Sequence, residues 1–223
     1  MTGSTVTRSS GANLQRLVAI VPVRTLEGAK SRLGGSLDAE ERQDLVRLLL
    51  ERTISAAAGV PGIESVLVVS PDPAILALAA GAGARPLRQD GEGLNEGLAQ
   101  AAGEAIADGA TAVLVLAGDL PSVSEASIGE ILATAAAAAS AARAIVVVVP
   151  DRHGRGTNAL LLSPPDTIAF AFGPDSRVAH EAAARAVGAL SLEVDGPLAL
   201  DLDLPEDLTL AEERGLLDPA HGG

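Results

Sequence analysis

At 223 residues and 48% hydrophobic content, the chain is long enough to bury roughly 70% of its unfolded surface around one core. It contains no Cys, Trp or Tyr, which excludes disulfides, thiolate metal sites and Cys nucleophiles and leaves the core to Ala, Val, Leu and Ile. A formal charge of −13 without a basic stripe argues against a nucleic-acid partner, and means that any bound anion needs local Arg, Lys or a metal.

Residues 1–16 are rich in Ser, Thr and Gly and lack an apolar signal core, so they read as a disordered tail. Leu17 to Val23 reads as a strand buried on both faces. The loop after it carries Arg24, Lys30 and Arg32 within nine residues of an acidic protein. A charge run is usually a solvated face, but the loop after a first strand is also the usual phosphate position in open α/β sheets. No Walker pattern or G-x-G-x-x-G is present, so side-chain cations would do the holding.

Asp38 to Ala58 predicts an amphipathic helix, with Asp38 and Glu41 spaced as a capping box. Val66–Val69 predicts a second strand and Ile75–Ala80 a short helix stopped by Gly81 and Gly83, with Pro86-Leu87 a very short strand. Asn95 is placed either to cap a helix running to Ala107 or to donate to a ligand. Val113 to Leu116 is an unbroken apolar strand that ends at Gly118-Asp119-Leu120-Pro121. An Asp just outside a strand's carboxyl end faces a ligand crevice; the alternative is a helix cap. An Ala-rich helix from about Ser124 to Arg143 and a strand Ala144–Val149 follow. The alternation to this point predicts right-handed βαβ units in a mostly parallel, Rossmann-like sheet flanked by helices.

The last third breaks the rhythm. A glycine-rich loop Asp151–Asn158 with Arg152 and Arg155 precedes a strand Ala159–Leu162, and Phe172-Gly173-Pro174-Asp175-Ser176 opens a helix to about Val187. Ser176 stands either as a helix cap or as a ligand contact. A strand Ser191–Val194 and the acidic pair Asp201-Leu202-Asp203 lead into a final helix, and the end from Gly215 is expected to fray. One domain, 17–214, covers all these elements. Apolar runs fall far short of the ~20 residues that span a membrane, so a soluble cytoplasmic protein is expected. The oligomeric state is open, a homodimer included.

Three carboxylates, Asp119, Asp201 and Asp203, therefore fall at loops beside cationic segments, with small donors at Thr157, Asn158 and Ser176. Hard oxygen donors without Cys or clustered His select Mg²⁺ or Mn²⁺. A metal with Lys and Arg around phosphates is equipment for in-line phosphoryl or nucleotidyl transfer. His153 and His180 are candidate bases or anion contacts, although a lone helical His is more often structural. A D-x-D phosphatase and a non-catalytic nucleotide-binding module are the rival classes.

The ordered series Val21-Pro22-Val23-Arg24, Ala29-Lys30-Ser31-Arg32-Leu33, Leu94-Asn95, Gly118-Asp119-Leu120-Pro121, Gly156-Thr157-Asn158, Phe172-Gly173-Pro174-Asp175-Ser176, His180 and Asp201-Leu202-Asp203…Asp207-Leu208 resembles the CofC/FbiD family. These are the 2-phospho-L-lactate or phosphoenolpyruvate guanylyltransferases of deazaflavin coenzyme (F-420) biosynthesis. Arg24 stands where Lys is common in that family, and Asp175 where Gly is common. The resemblance implies a GT-A-like nucleotidyltransferase fold, with GTP and a small phosphorylated carboxylic acid as substrates and related acceptors such as 3-phosphoglycerate as alternatives. It implies metal ligation by Asp119, Asp201 and Asp203 and acceptor contacts from Thr157, Gly173 and Ser176. Arg24, Lys30, Arg32 and Asn95 would serve the nucleotide, with Lys30, Arg32 and Asp119 closest to the chemistry.

Overall fold

The computed structural model describes residues 11–26 and 30–217. Seven strands form one sheet in the order β3-β2-β1-β4-β6-β5-β7. They span Leu17–Pro22 (β1), Ile63–Ser70 (β2), Arg85–Arg88 (β3), Ala112–Leu116 (β4), Ile145–Pro150 (β5), Thr157–Ser163 (β6) and Leu190–Glu193 (β7). Six run parallel; β6 is antiparallel to both its neighbours, β4 and β5. Among the described residues five α-helices lie between strands, Ala39–Gly59 (α1), Pro73–Gly81 (α2), Leu94–Ala107 (α3), Glu125–Ala138 (α4) and Ser176–Ala186 (α5), and a sixth, Pro205–Glu213 (α6), follows β7. This is the expected α/β class.

Because side chains alternate across a strand, each central strand feeds two cores. Ala19, Val68, Leu114 and Val147 face one cluster with α1, α2 and α4. Ile20, Leu67, Val115 and Val148 face the other, with α3 and Ala184 of α5. A third, smaller cluster joins Leu33, Leu45 and Leu49 to Leu200, Leu202 and Leu208, binding the first loop to α1 and α6. The core is aliphatic throughout, as the composition requires, and each fully buried Leu, Ile or Val contributes about 1.5–3 kcal/mol.

The chain winds outward from β1 through β2 to β3, then returns through α3 to β4 on the other side of β1. The β1/β4 boundary is therefore the topological switch point, where the loops leave in opposite directions and open a crevice. Antiparallel β6 begins at this same sheet edge, so its first residues, Thr157 and Asn158, reach the crevice.

The capping box is present: Asp38 accepts from the Glu40 and Glu41 N–H groups, and the Asp38 N–H donates to Glu41. Three sequence expectations change. Helix α4 stops at Ala138, and just beyond it the Ala139 and Ala142 carbonyls accept from the Ala12 N–H, at 2.9 and 2.8 Å. Residues 12–16 of the expected tail are thus held; Arg16 also pairs with Glu64. At the other end, Leu216 N–H bonds the Ala211 carbonyl, so 215–217 continue the α6 terminus. Residues 1–10 and 218–223, the remainder of both expected tails, lie outside the described residues. Among the described residues, no helix is long and apolar enough to cross a membrane.

Candidate active site

A cleft of about 690 Å³ opens at the switch point, between the loops following β1 and β4 and the start of β6. Its floor carries the three expected carboxylates. Oxygen atoms of Asp119, Asp201 and Asp203 lie within 4.8 Å of one another although the residues come from two distant segments. Several contacts bring them together. Gly118 lets the chain turn against β1; a Cβ there would stand 3.0 Å from Val23 Cγ2 and 3.4 Å from the Pro22 carbonyl. The Leu202 N–H donates to the Asp119 carbonyl at 3.2 Å. From β6, the Asn158 amide donates to the Leu198 and Ala199 carbonyls, at 2.9 and 3.0 Å, just ahead of Asp201. Buried Arg52 of α1 holds the Pro121 carbonyl at 2.9 Å and also that of Leu216.

Burial and then the charges of Asp119 and Asp203 push the Asp201 carboxyl up to about 6. Crowded, partly buried carboxylates of this kind are a donor set for a hard divalent cation, and their chemistry fits Mg²⁺ or Mn²⁺. One cationic side chain is already among them. Lys30, only 11% exposed, bonds Asp119 and, at 3.1 Å, Asp203. Burial works against its charge, but the two carboxylates outweigh it and hold the ammonium above the usual lysine range. Lys30 reaches this place from a left-handed backbone conformation (φ 52°) that non-glycine residues rarely adopt, leading into a 3-10 turn at Ser31–Leu33. Arg32 stands farther out, 70% exposed and 3.7 Å from Asp203. Arg24 lines the cleft from the end of β1. Residues 27–29 of this loop lie outside the described residues.

The opposite wall is mostly uncharged, with the Asp151 carboxylate at its edge beside Gly156. Thr157, Phe172, Gly173 and Ser176 line it. Gly173 has φ 132°, a conformation in which any side chain would be strained, and open space where a Cβ would be. Ser176 is the first residue of α5 and not its cap; Asp175 is the cap, without a side-chain bond. The Ser176 hydroxyl instead donates to Thr157 Oγ1 at 3.1 Å.

The chain matches the family described as CofC-like guanylyl transferases over residues 17–212. It belongs to that family. It is 44% identical to the phosphoenolpyruvate guanylyltransferase of Rubrobacter xylanophilus, over 88% of this chain and 94% of the relative. It is also 44% identical to the enzyme of the same name from Sphaerobacter thermophilus, over 86% and 90% respectively. Among solved structures it resembles one assigned as a nucleotide-diphospho-sugar transferase from Desulfovibrio desulfuricans G20, with a TM-score of 0.71, 17% identity and coverage of 92% of this chain and 89% of that one. That last likeness speaks to the fold alone.

In this CofC-like chain, several residues take other places than the sequence suggests. Asn95 neither caps α3, whose cap is Gly93, nor lines the cleft. Its amide bonds the Phe172 backbone in both directions, at 3.0 and 2.8 Å, and so fixes the segment ahead of Gly173. Arg152 and Arg155 also lie off the cleft lining, paired with Asp207 (2.6 Å) and Asp175 (2.9 Å). His153 is exposed outside it, whereas His180 is fully buried behind Thr157. Asp207, named in the sequence only as part of the acidic motif, has a role that sequence reasoning missed. It accepts from the Asp203 and Leu204 N–H groups at 3.1 and 2.7 Å and, through Arg152, ties the acidic loop to the β5–β6 loop. Its signal was present: an Asp two residues after a helix-starting Pro occupies the reciprocal position of a capping box.

Proposed function

We propose that this chain transfers GMP from GTP to a small phosphorylated carboxylic acid, phosphoenolpyruvate first and 2-phospho-L-lactate second, in the biosynthesis of coenzyme F-420. The observation that carries the reading is the meeting, at one crevice, of a three-carboxylate cluster with Lys30 and a neutral wall of hydroxyls around Gly173. The names of the 44% identical relatives support the acceptor.

An oxygen of the acceptor's phosphate attacks the α-phosphorus of GTP. The new P–O bond forms as the bond from the α-phosphorus to the α,β-bridging oxygen breaks, and pyrophosphate leaves. A phosphate is already ionised near neutral pH, so no protein base is required, and catalysis rests on positioning and charge neutralisation. Lys30, whose charge its neighbours stabilise, would face the triphosphate with Arg24 and Arg32, which line the same cleft. Asp119, Asp201 and Asp203 would hold the divalent metal, which supplies neutralisation of phosphate charge when bound. Thr157, the backbone around Gly173, and Ser176 would receive the acid.

The test is incubation with labelled GTP, Mg²⁺ and a mixture of phosphoenolpyruvate, 2-phospholactate and 3-phosphoglycerate, read by mass spectrometry. A guanylylated phosphoenolpyruvate with equimolar pyrophosphate is expected. Free phosphate from the acids would point to a phosphatase, and nucleotide binding without turnover to a non-catalytic module; either would overturn the reading.

A further inference from the structure

We propose that buried His180 is a positioning residue that supplies a proton to the Thr157–Ser176 hydroxyl pair, so that the acceptor wall presents a hydrogen-bond donor to an anion. The inference rests on the acceptor reading of that wall given above.

The argument is a count of protons. The Ala171 N–H donates to His180 Nε2 at 3.1 Å, so that nitrogen carries a lone pair. The ring is fully buried, among the described residues its only other hydrogen-bond partner is Thr157, and burial lowers its pKa to about 4, so it is neutral at physiological pH. A neutral imidazole with a bare Nε2 must carry its proton on Nδ1. Nδ1 lies 3.1 Å from Thr157 Oγ1 and therefore donates to it. Thr157 Oγ1 in turn lies 3.1 Å from Ser176 Oγ.

His180, Thr157 and Ser176 thus contribute three protons to a chain of two hydrogen bonds, one between His180 and Thr157 and one between Thr157 and Ser176. One hydroxyl proton is left over. Among the described residues neither hydroxyl has a further partner, and both residues line the cleft. Whichever of the two oxygens keeps that proton, it is available to a carboxylate or phosphate oxygen of the bound acid.

The opposite tautomer would reverse the wall. A proton on Nε2 would confront the Ala171 N–H, and Nδ1 would become an acceptor. Thr157 would then donate to His180 and Ser176 to Thr157, leaving only lone pairs toward the cleft. Lone pairs repel an anion. The position of one proton on a ring that never touches substrate therefore decides whether the hydroxyl pair offers an anion a donor or only lone pairs. Asn95 belongs to the same device, since its two bonds to Phe172 hold the neighbouring Ala171 N–H in place. The Phe172 ring meets the imidazole edge-on, with centroids 5.0 Å apart, and resists its rotation.

Two measurements test this. Nitrogen-15 NMR of the histidine-labelled wild-type protein should show a protonated Nδ1 and an unprotonated Nε2 for His180 at neutral pH. A proton on Nε2, or a charged ring, would overturn the proposal whether or not any variant folds. The second measurement is kinetic, on variants with native circular dichroism. His180→Leu removes the donor and should raise the acceptor KM roughly tenfold, with the GTP KM within twofold of wild type. His180→Asn places an amide N–H near the former Nδ1 position and should recover most of the loss, which a merely structural role would not give. If Thr157→Val and Ser176→Ala raise the acceptor KM but His180→Leu does not, the His180 proposal fails alone. If none of the three does, the acceptor reading fails with it. Equal rises in both substrates' KM after His180→Leu would assign His180 to packing and overturn the proposal.

Discussion

The two walls of the cleft work with different electrostatics. On the acidic side, Asp119, Asp201, Asp203, Lys30 and Arg32 carry full charges from loops that several elements pin in place. On the other side, Thr157, Ser176 and His180 are buried, neutral and joined by hydrogen bonds. Full charges act over distance and tolerate small displacements, whereas a hydrogen bond weakens steeply once its angle is lost. The first wall suits a large polyanion and a metal, and the second suits discrimination among small acids that differ by a few atoms.

Breaking the charged wall should have the largest effect. Asp119→Asn should lower turnover 100- to 1000-fold, since each ~1.4 kcal/mol of lost charge stabilisation is tenfold. Pyrophosphate release under saturating GTP and Mg²⁺ measures it, and full activity in EDTA would remove the metal from the account.

The neutral wall should reveal itself in stability. His180 titrates near 4 in the folded protein against 6.5 as a free side chain. A depressed folded pKa means its contribution is complete above about pH 6.5 and is lost as pH falls toward 4, by on the order of 3 kcal/mol. Asp201 has the opposite sign: raised to about 6 from 3.8, it destabilises when ionised, and that penalty is relieved as pH falls through this range. Urea midpoints at pH 7 and 4.5, taken for wild type and His180→Asn under the same buffer, isolate the histidine term. Parallel curves would contradict it.

Smaller effects should sort by substrate. Lys30→Ala should cut kcat/KM for GTP by about tenfold or more while leaving the acceptor KM nearly unchanged, because it removes a charge-assisted contact. An effect confined to the acceptor would reverse the assignment of the walls. Thr157→Val should do the converse, raising the acceptor KM several-fold with GTP little changed. Arg24→Lys keeps the charge at an exposed position and should change the GTP KM by about twofold at most.

The charged wall was largely legible in the sequence. Strands such as Val113–Leu116 announce themselves as apolar runs, and an Asp after one of them has few places to be but the crevice. The neutral wall was legible only as a set of small donors. Thr157, Ser176 and His180 carry no charge pattern, and their order depends on β6 running antiparallel, so that its first residue meets α5. That direction had a signal. The link between Pro150 and Thr157 is far too short for a crossover, so β5 and β6 could pair only as antiparallel neighbours. The capping alternative for Asn95 failed although its spacing fits a cap, because its tertiary partner, Phe172, lies far along the chain. The role of Asp207 was overlooked because a helix-start Asp has an ordinary local explanation, and only the fold brings Arg152 to it.

The cluster of Phe170, Phe172 and His180 holds both of the chain's phenylalanines, and there is no Trp or Tyr elsewhere. The folded protein is therefore nearly transparent in the near ultraviolet, and a bound guanine base would be its dominant chromophore. A Phe172→Trp substitution would install a sole fluorophore at the lip of the cleft, with no background emission to subtract. Nucleotide and acid could then each be titrated by light from a single known position.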